Sequence, residues 1–124
     1  MYQKDKTKKH KGDHMIQKTL LIGLNDKNTL KQEIKTDQAI KKIKQVLFYH
    51  GFNYITLNKS QGCYIMQDSQ KQVQEKSIQV IIIEDLKSTL KHIKSINQAI
   101  QDLKQVLNQE SIGLCYSFIK ASFK

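Results

Sequence analysis

Two short stretches decide the fold: Lys18-Thr-Leu-Leu-Ile-Gly-Leu-Asn25 and Ser77-Ile-Gln-Val-Ile-Ile-Ile83. A strand over Gln17 to Leu24 places Leu20, Ile22 and Leu24 on one face and Thr19, Leu21 and Gly23 on the other, because strand side chains alternate. Both faces are nearly apolar, the pattern of a strand in the middle of a sheet. Ser77 to Ile83 has the same character. The chain is therefore expected to hold two inner strands far apart in sequence.

Amphipathic segments lie outward from these strands. After a polar connection from Asn25 to Lys35, Thr36 is the expected N-cap of a helix. Its apolar side is Ala39, Ile40, Ile43, Val46, Leu47 and His50, and Gly51 ends it. Lys41, Lys42, Lys44 and Gln45 face the other way, with Phe48 and Tyr49 beside them. Phe52 to Leu57 and Gly62 to Met66 flank Asn58-Lys59-Ser60-Gln61 and fit either one bent strand or the two strands of a hairpin. Leu86 to Asn108 reads as one long helix with a buried stripe of Leu86, Leu90, Ile93, Ile96, Ile100, Leu103 and Leu107. Lys87, Lys91 and Lys94 line its solvent side. Ile112 to Ile119 alternates as a last strand.

In order, these elements form the β-α-β-β-α-β arrangement of the ferredoxin-like α+β class, an antiparallel sheet with two helices on one face. Its inner strands are the first and third, which are the two that are apolar on both sides. Residues 1–14 are lysine-rich and lack apolar periodicity, so they read as a disordered tail before a single domain over 15–124.

Composition narrows the function classes. The chain has 124 residues and a net charge of +10, and all 21 of its basic residues are lysine. Without arginine, bidentate reading of guanine edges is not expected, which leaves diffuse attraction to polyanions. No apolar run approaches the roughly 20 residues of a membrane span, and no secretory signal opens the chain, so the expected location is cytoplasmic. Cys63 and Cys115 have no metal-site spacing and read as free thiols, with their pairing left open.

A search for chemistry finds no catalytic constellation. His50 and His92 sit on apolar helix sides and read as packed histidines. His10 and His14 lack a third metal ligand, and Asp85 reads as the cap of the second helix. Glu110, in Asn108-Gln-Glu-Ser111, reads as a turn residue satisfying backbone amides. Gly12, Gly23, Gly51, Gly62 and Gly113 are scattered and form no phosphate loop. RNA-recognition domains share this element order but stack bases on aromatics of the inner strands. The inner strands here have none.

Lys18 to Asn25, Gly51-Phe-Asn-Tyr-Ile-Thr56, Gly62, Glu75-Lys-Ser77, Asn108-Gln-Glu-Ser-Ile112 and Cys115-Tyr-Ser-Phe118 together resemble a bacterial family of small α/β domains known only as a domain of unknown function. That resemblance implies the same fold and no particular activity. The Gly-Leu-Asn-Asp-Lys opening on a lysine-rich chain also resembles cargo proteins of plasmids and phages in low-GC bacteria, which implies an accessory role on a mobile element.

The expected function is that of a non-enzymatic basic module, with no cofactor or metal, docking on nucleic acid or an acidic nucleoprotein surface. Its contact residues would be Lys41, Lys42, Lys44, Phe48, Tyr49, Lys87, Lys91 and Lys94. Two alternatives stand beside it: an inhibitor of a host defence nuclease of the anti-CRISPR type, and a ligand-binding or enzymatic dimeric α/β barrel. A homodimer through the open sheet face belongs to the same set of expectations.

Overall fold

A computed structural model of the chain describes residues 14–122, so the tail expected over 1–14 lies outside the described residues except for His14, which opens the first strand. In order, the elements are β1 (His14–Gly23), α1 (Thr36–Tyr49), β2 (Thr56–Ile65), β3 (Gln72–Asp85), α2 (Leu86–Lys91), α3 (Ile93–Val106) and β4 (Gly113–Lys120). The sheet is antiparallel throughout, in the order β2-β3-β1-β4. This is the ferredoxin-like order, with the two apolar strands β1 and β3 at its centre.

The register assigns each side chain to a face. Leu20 and Ile22 of β1 and Ile78, Val80 and Ile82 of β3 point to the side covered by the helices. There they meet Ala39, Ile43 and Leu47 of α1 and Ile96, Ala99, Ile100 and Leu103 of α3. At about 1.5–3 kcal/mol for each fully buried large aliphatic, this layer supplies the main cohesion of the fold. Neither helix covers the opposite face, which holds Leu21 and Gly23 of β1, Glu75, Ser77, Gln79, Ile81 and Ile83 of β3, Thr56, Gly62 and Tyr64 of β2, and Gly113 and Cys115 of β4.

Lys18 belongs to the covered side, and its side chain is 0% exposed. Its ammonium donates to Glu84 Oε1 and lies 4.8 Å from the centroid of the Phe52 ring. The other oxygen of Glu84 is 2.7 Å from His92 Nδ1. A buried ammonium needs a paired and hydrogen-bonded partner, and here one carboxylate serves both Lys18 and His92.

That cluster sits at a break in the second helical segment, which corrects the expectation of one helix over 86–108. His92 takes φ −98° and ψ 11°, and its amide donates to Ser88 O and Thr89 O. The helix axis is interrupted where the imidazole reaches back to Glu84. Leu86, Leu90 and Ile93 consequently stay 45–59% exposed instead of extending the buried stripe. Asp85 does cap this segment, accepting from the Ser88 amide at 2.7 Å.

One further expectation needs correction. Thr36 is not the N-cap of α1. Lys35 holds that position without a side-chain bond, and Thr36 Oγ1 instead accepts from Gln32 Nε2 at 3.0 Å. Of the two readings left open for the stretch around Asn58–Gln61, the single strand holds, because these residues run through β2. The chain reverses at Met66–Lys71, where Gln70 takes the positive φ of 57°. The residues looked turn-like because β2 is an edge strand whose side chains stay exposed along most of its length. Beyond Ser77, Gln72–Lys76 pair only with Gln61–Ile65, so polar side chains suit both faces there.

His50 Nε2 lies 2.6 Å from Asp102 Oδ2 and ties the end of α1 to α3. Each helix histidine thus bonds a carboxylate of another element, His50 to Asp102 and His92 to Glu84.

Removing Lys18 alone would leave Glu84 buried without its cation. Lys18→Ala is expected to lower stability by about 3–5 kcal/mol. Lys18→Met combined with Glu84→Gln, which removes both charges, should recover most of that loss. Urea unfolding followed by circular dichroism measures both variants.

Candidate functional site

The concave feature with the most convergent polar groups lies on the open sheet face. It is a cleft of about 360 Å³ lined by Leu21, Gly23, Asn25, Asp26, Lys27, Leu30, Tyr64, Glu75, Gln109, Glu110, Ser111 and Gly113. The end of β1 and the start of β4 form its floor. Tyr64 and Glu75 reach it from the β2–β3 ribbon, and the 25–30 and 108–111 loops form its wall.

Two glycines that are far apart in sequence, Gly23 and Gly113, line the cleft, and a third, Gly62, lies on the same sheet face beside it. Gly62 stands directly opposite Glu75 in the β2–β3 register, and Gly113 stands opposite Leu21. A Cβ on Gly23 would fall 2.6 Å from Glu75 Cδ, so the carboxylate lies across the bare backbone of Gly23. A Cβ on Gly113 would meet Leu21 Cβ at 3.3 Å. Positions without a Cβ let a ligand or carboxylate approach the main chain closely.

Glu75 is held in place by the Asn25 amide, which donates to Oε2 at 2.9 Å. The wall is held in turn by loop-to-loop bonds. Gln109, 7% exposed, donates to Asn25 O at 2.6 Å, Asn108 Nδ2 donates to Asp26 Oδ2 at 2.7 Å, and the Lys27 amide donates to Asn108 O at 3.0 Å. The Asn108 side chain, followed by the Asn28 backbone amide, holds the Asp26 carboxyl below the usual aspartate range.

The electrostatics of the cleft run against those of the chain. Asp26, Glu75 and Glu110 face a single lysine, Lys27, whereas the whole protein carries +10. Such a cleft favours a cationic or neutral ligand and disfavours a polyphosphate. Tyr64, 43% exposed, adds a flat aromatic face and a hydroxyl. Among the described residues, no group of three or more His, Cys, Asp or Glu side chains is placed to hold a metal, and no helix is long and apolar enough to cross a membrane.

The residues expected to bind nucleic acid lie elsewhere. Lys41, Lys44, Phe48 and Tyr49 are exposed on α1, and Lys42 is half-buried there. Lys87 and Lys91 are on α2 and Lys94 is on α3, so the break at His92 divides that row between two helices. None of the eight lines the cleft. Sequence reasoning assigned Glu110 to a turn and missed Glu75, Tyr64 and the glycine floor. The only signal for these was the strand register, which brings together residues that are far apart in the chain.

No family model matches the chain, and no curated protein matches it either, so the resemblance to a domain family gains no support as membership. Solved structures do match. A phage SAM lyase in complex with S-methyl-5'-thioadenosine is 21% identical, with a TM-score of 0.62, over 86% of this chain and 90% of that one. GlnK of B. subtilis in its ATP complex is 14% identical, with a TM-score of 0.53, over 88% and 84%. CutA from Synechococcus elongatus is 12% identical, with a TM-score of 0.53, over 88% and 80%. At these identities the likeness is one of fold.

The comparison overturns the expectation of a non-enzymatic basic module docking on nucleic acid, and with it the alternative of a defence-nuclease inhibitor. The proteins sharing the fold include a lyase and a nucleotide-bound protein, and the concave site of this chain is acidic and lies away from the helix lysines.

The lowered pKa of Asp26 sets a pH dependence. A carboxyl whose folded value is depressed stabilises the fold fully above its unfolded value, and that contribution is lost as pH falls through the folded value. The 25–30 loop should therefore keep its contact with Asn108 from neutral pH down to about pH 4, the ordinary aspartate value, and loosen only below it. Amide exchange at Lys27 reports the loosening, and Asp26→Ala should produce it at neutral pH.

Proposed function

We propose that the Glu75 cleft binds S-adenosylmethionine and cleaves it, releasing S-methyl-5'-thioadenosine. The observation that carries this reading is a carboxylate laid over a glycine floor in an acidic cleft of an otherwise strongly basic protein. The fold likeness to a SAM lyase bound to that thioether supports it. The likeness to an ATP-bound protein raises the competing ligand, and charge decides between them. Unlike charges about 4 Å apart attract by about 1 kcal/mol in water and about 4 kcal/mol at a protein surface. Glu75 and Glu110 would gain this with a sulfonium or an ammonium and would repel a triphosphate by a similar amount.

The reaction asks little of the protein. The sulfonium is itself a leaving group, so the S–Cγ bond breaks with its electron pair moving to sulfur, and the thioether departs neutral. The substrate's own carboxylate oxygen closes on Cγ to form a lactone, and no water or cofactor enters the balance. A site for this step has to bend the amino-acid chain back on itself and screen the two reacting charges from water. Glu75 would hold the α-ammonium, Tyr64 would pack against the adenine, and the missing Cβ at Gly23 lets the Glu75 carboxylate lie against the cleft floor beside the folded substrate. The two exposed free thiols, Cys63 and Cys115, agree with work in a reducing cytoplasm.

Full-length protein incubated with S-adenosylmethionine should release S-methyl-5'-thioadenosine, detected by chromatography and mass spectrometry. Glu75→Gln should cut kcat/KM by about 100-fold, the scale of losing one preorganised electrostatic contact. Gly23→Ala should do the same while leaving the circular dichroism spectrum unchanged, since only the mobile end of the Glu75 side chain has to move. Absence of both binding and product with the wild-type protein would overturn the reading.

A further inference from the structure

We propose that the open sheet face packs against a second copy of this chain, and that the second copy closes the Glu75 cleft. The argument starts from where the lysines fall. Four lysines lie in the strands, Lys18, Lys59, Lys76 and Lys120, and the register puts all four on the helix-covered side. Lysine is 21 of the 124 residues, yet the open face has none along its strands. Its one charged side chain between the strand ends is Glu75.

A solvated sheet face on a protein of this composition would be expected to carry lysines, because these are what keep such a face in water and discourage association. The open face carries Leu21 and Ile83, which are 47% and 37% exposed. Ile81 and Ile83, with Tyr54 and Thr56, also line an apolar groove of about 400 Å³. The β2–β3 ribbon extends past β1 as only two strands, and a bare two-stranded ribbon is marginal in water unless something packs beneath it.

Charge selects the occupant. Two copies of a protein with net charge +10 repel one another over most of their surface, and the face whose strands carry no lysine is where they can approach at least electrostatic cost. Nucleic acid would need a cluster of cations on this face, where the strands carry no lysine and the cleft wall only Lys27. The cleft is open to solvent along the same face, so a copy seated there would cover Glu75 and exclude water from the bound substrate. The covering of the cleft rests on the proposed SAM reaction, whereas the self-association does not.

Light scattering or native mass spectrometry on the full chain should give a mass of at least twice 14.4 kDa. Gln79→Lys and Ile81→Lys each place an ammonium on the open face outside the cleft lining. Both should shift the mass to that of one chain and reduce thioadenosine release at least tenfold. Lys44→Glu, on the helix side, should leave the mass unchanged. If Ile81→Lys loses its circular dichroism signal, Gln79→Lys decides alone. A wild-type protein that is monomeric at micromolar concentration, or an assembly that survives Gln79→Lys, overturns the proposal. An assembly that forms and responds to these variants but never cleaves S-adenosylmethionine upholds the interface and sinks only the reaction.

Discussion

The pleat of β1 is the constraint on which the rest of the molecule depends. This strand is paired on both edges, with β3 and with β4, so its alternation fixes the side of every neighbour. Leu20 and Ile22 go under the helices, and Leu21 and Gly23 go to the open face. A slip of one residue would turn Gly23 into the core and Ile22 into the cleft. Core and site are therefore specified by the same register, and neither can shift without the other.

The buried charge cluster extends that dependence to the helices. Lys18 is the β1 residue two positions before Leu20 on the same face, so the pleat forces its ammonium inward. Glu84 answers it from β3, and His92 completes the cluster from the segment that follows. A lysine on a strand face otherwise made of aliphatics is a local conflict between composition and position. The fold meets the conflict with a carboxylate, a ring and a broken helix. This is why the second helix is two pieces and why its first apolar residues stay half in water.

Most of the architecture was legible in the sequence because it follows from local periodicity. The two inner strands, the first helix and the last strand all announce themselves by spacing alone. The errors fell where a distant partner overrides local preference. The 86–108 stripe looks continuous until Glu84 draws His92 out of line, whereas the turn-like Asn58–Gln61 left a bent strand or a hairpin open and lies in an edge strand. The site was less legible still. Gly23, Gly62 and Gly113 each looked like an isolated turn or packing glycine, and Glu75 looked like one more polar residue of a loop.

By itself, the sequence determined the element order, the inner position of β1 and β3, and the apolar faces of the helices, because hydrophobic periodicity is written in neighbouring residues. Tertiary structure alone decided that a lysine would be buried, that Gly23, Gly113 and Glu75 would share one cleft, and that the strand lysines would all fall on one side. These depend on which strands pair and in which register. That choice is made by contacts between residues far apart in the chain, such as His14 with Lys120 and Gln109 with Asn25, and no local pattern encodes it.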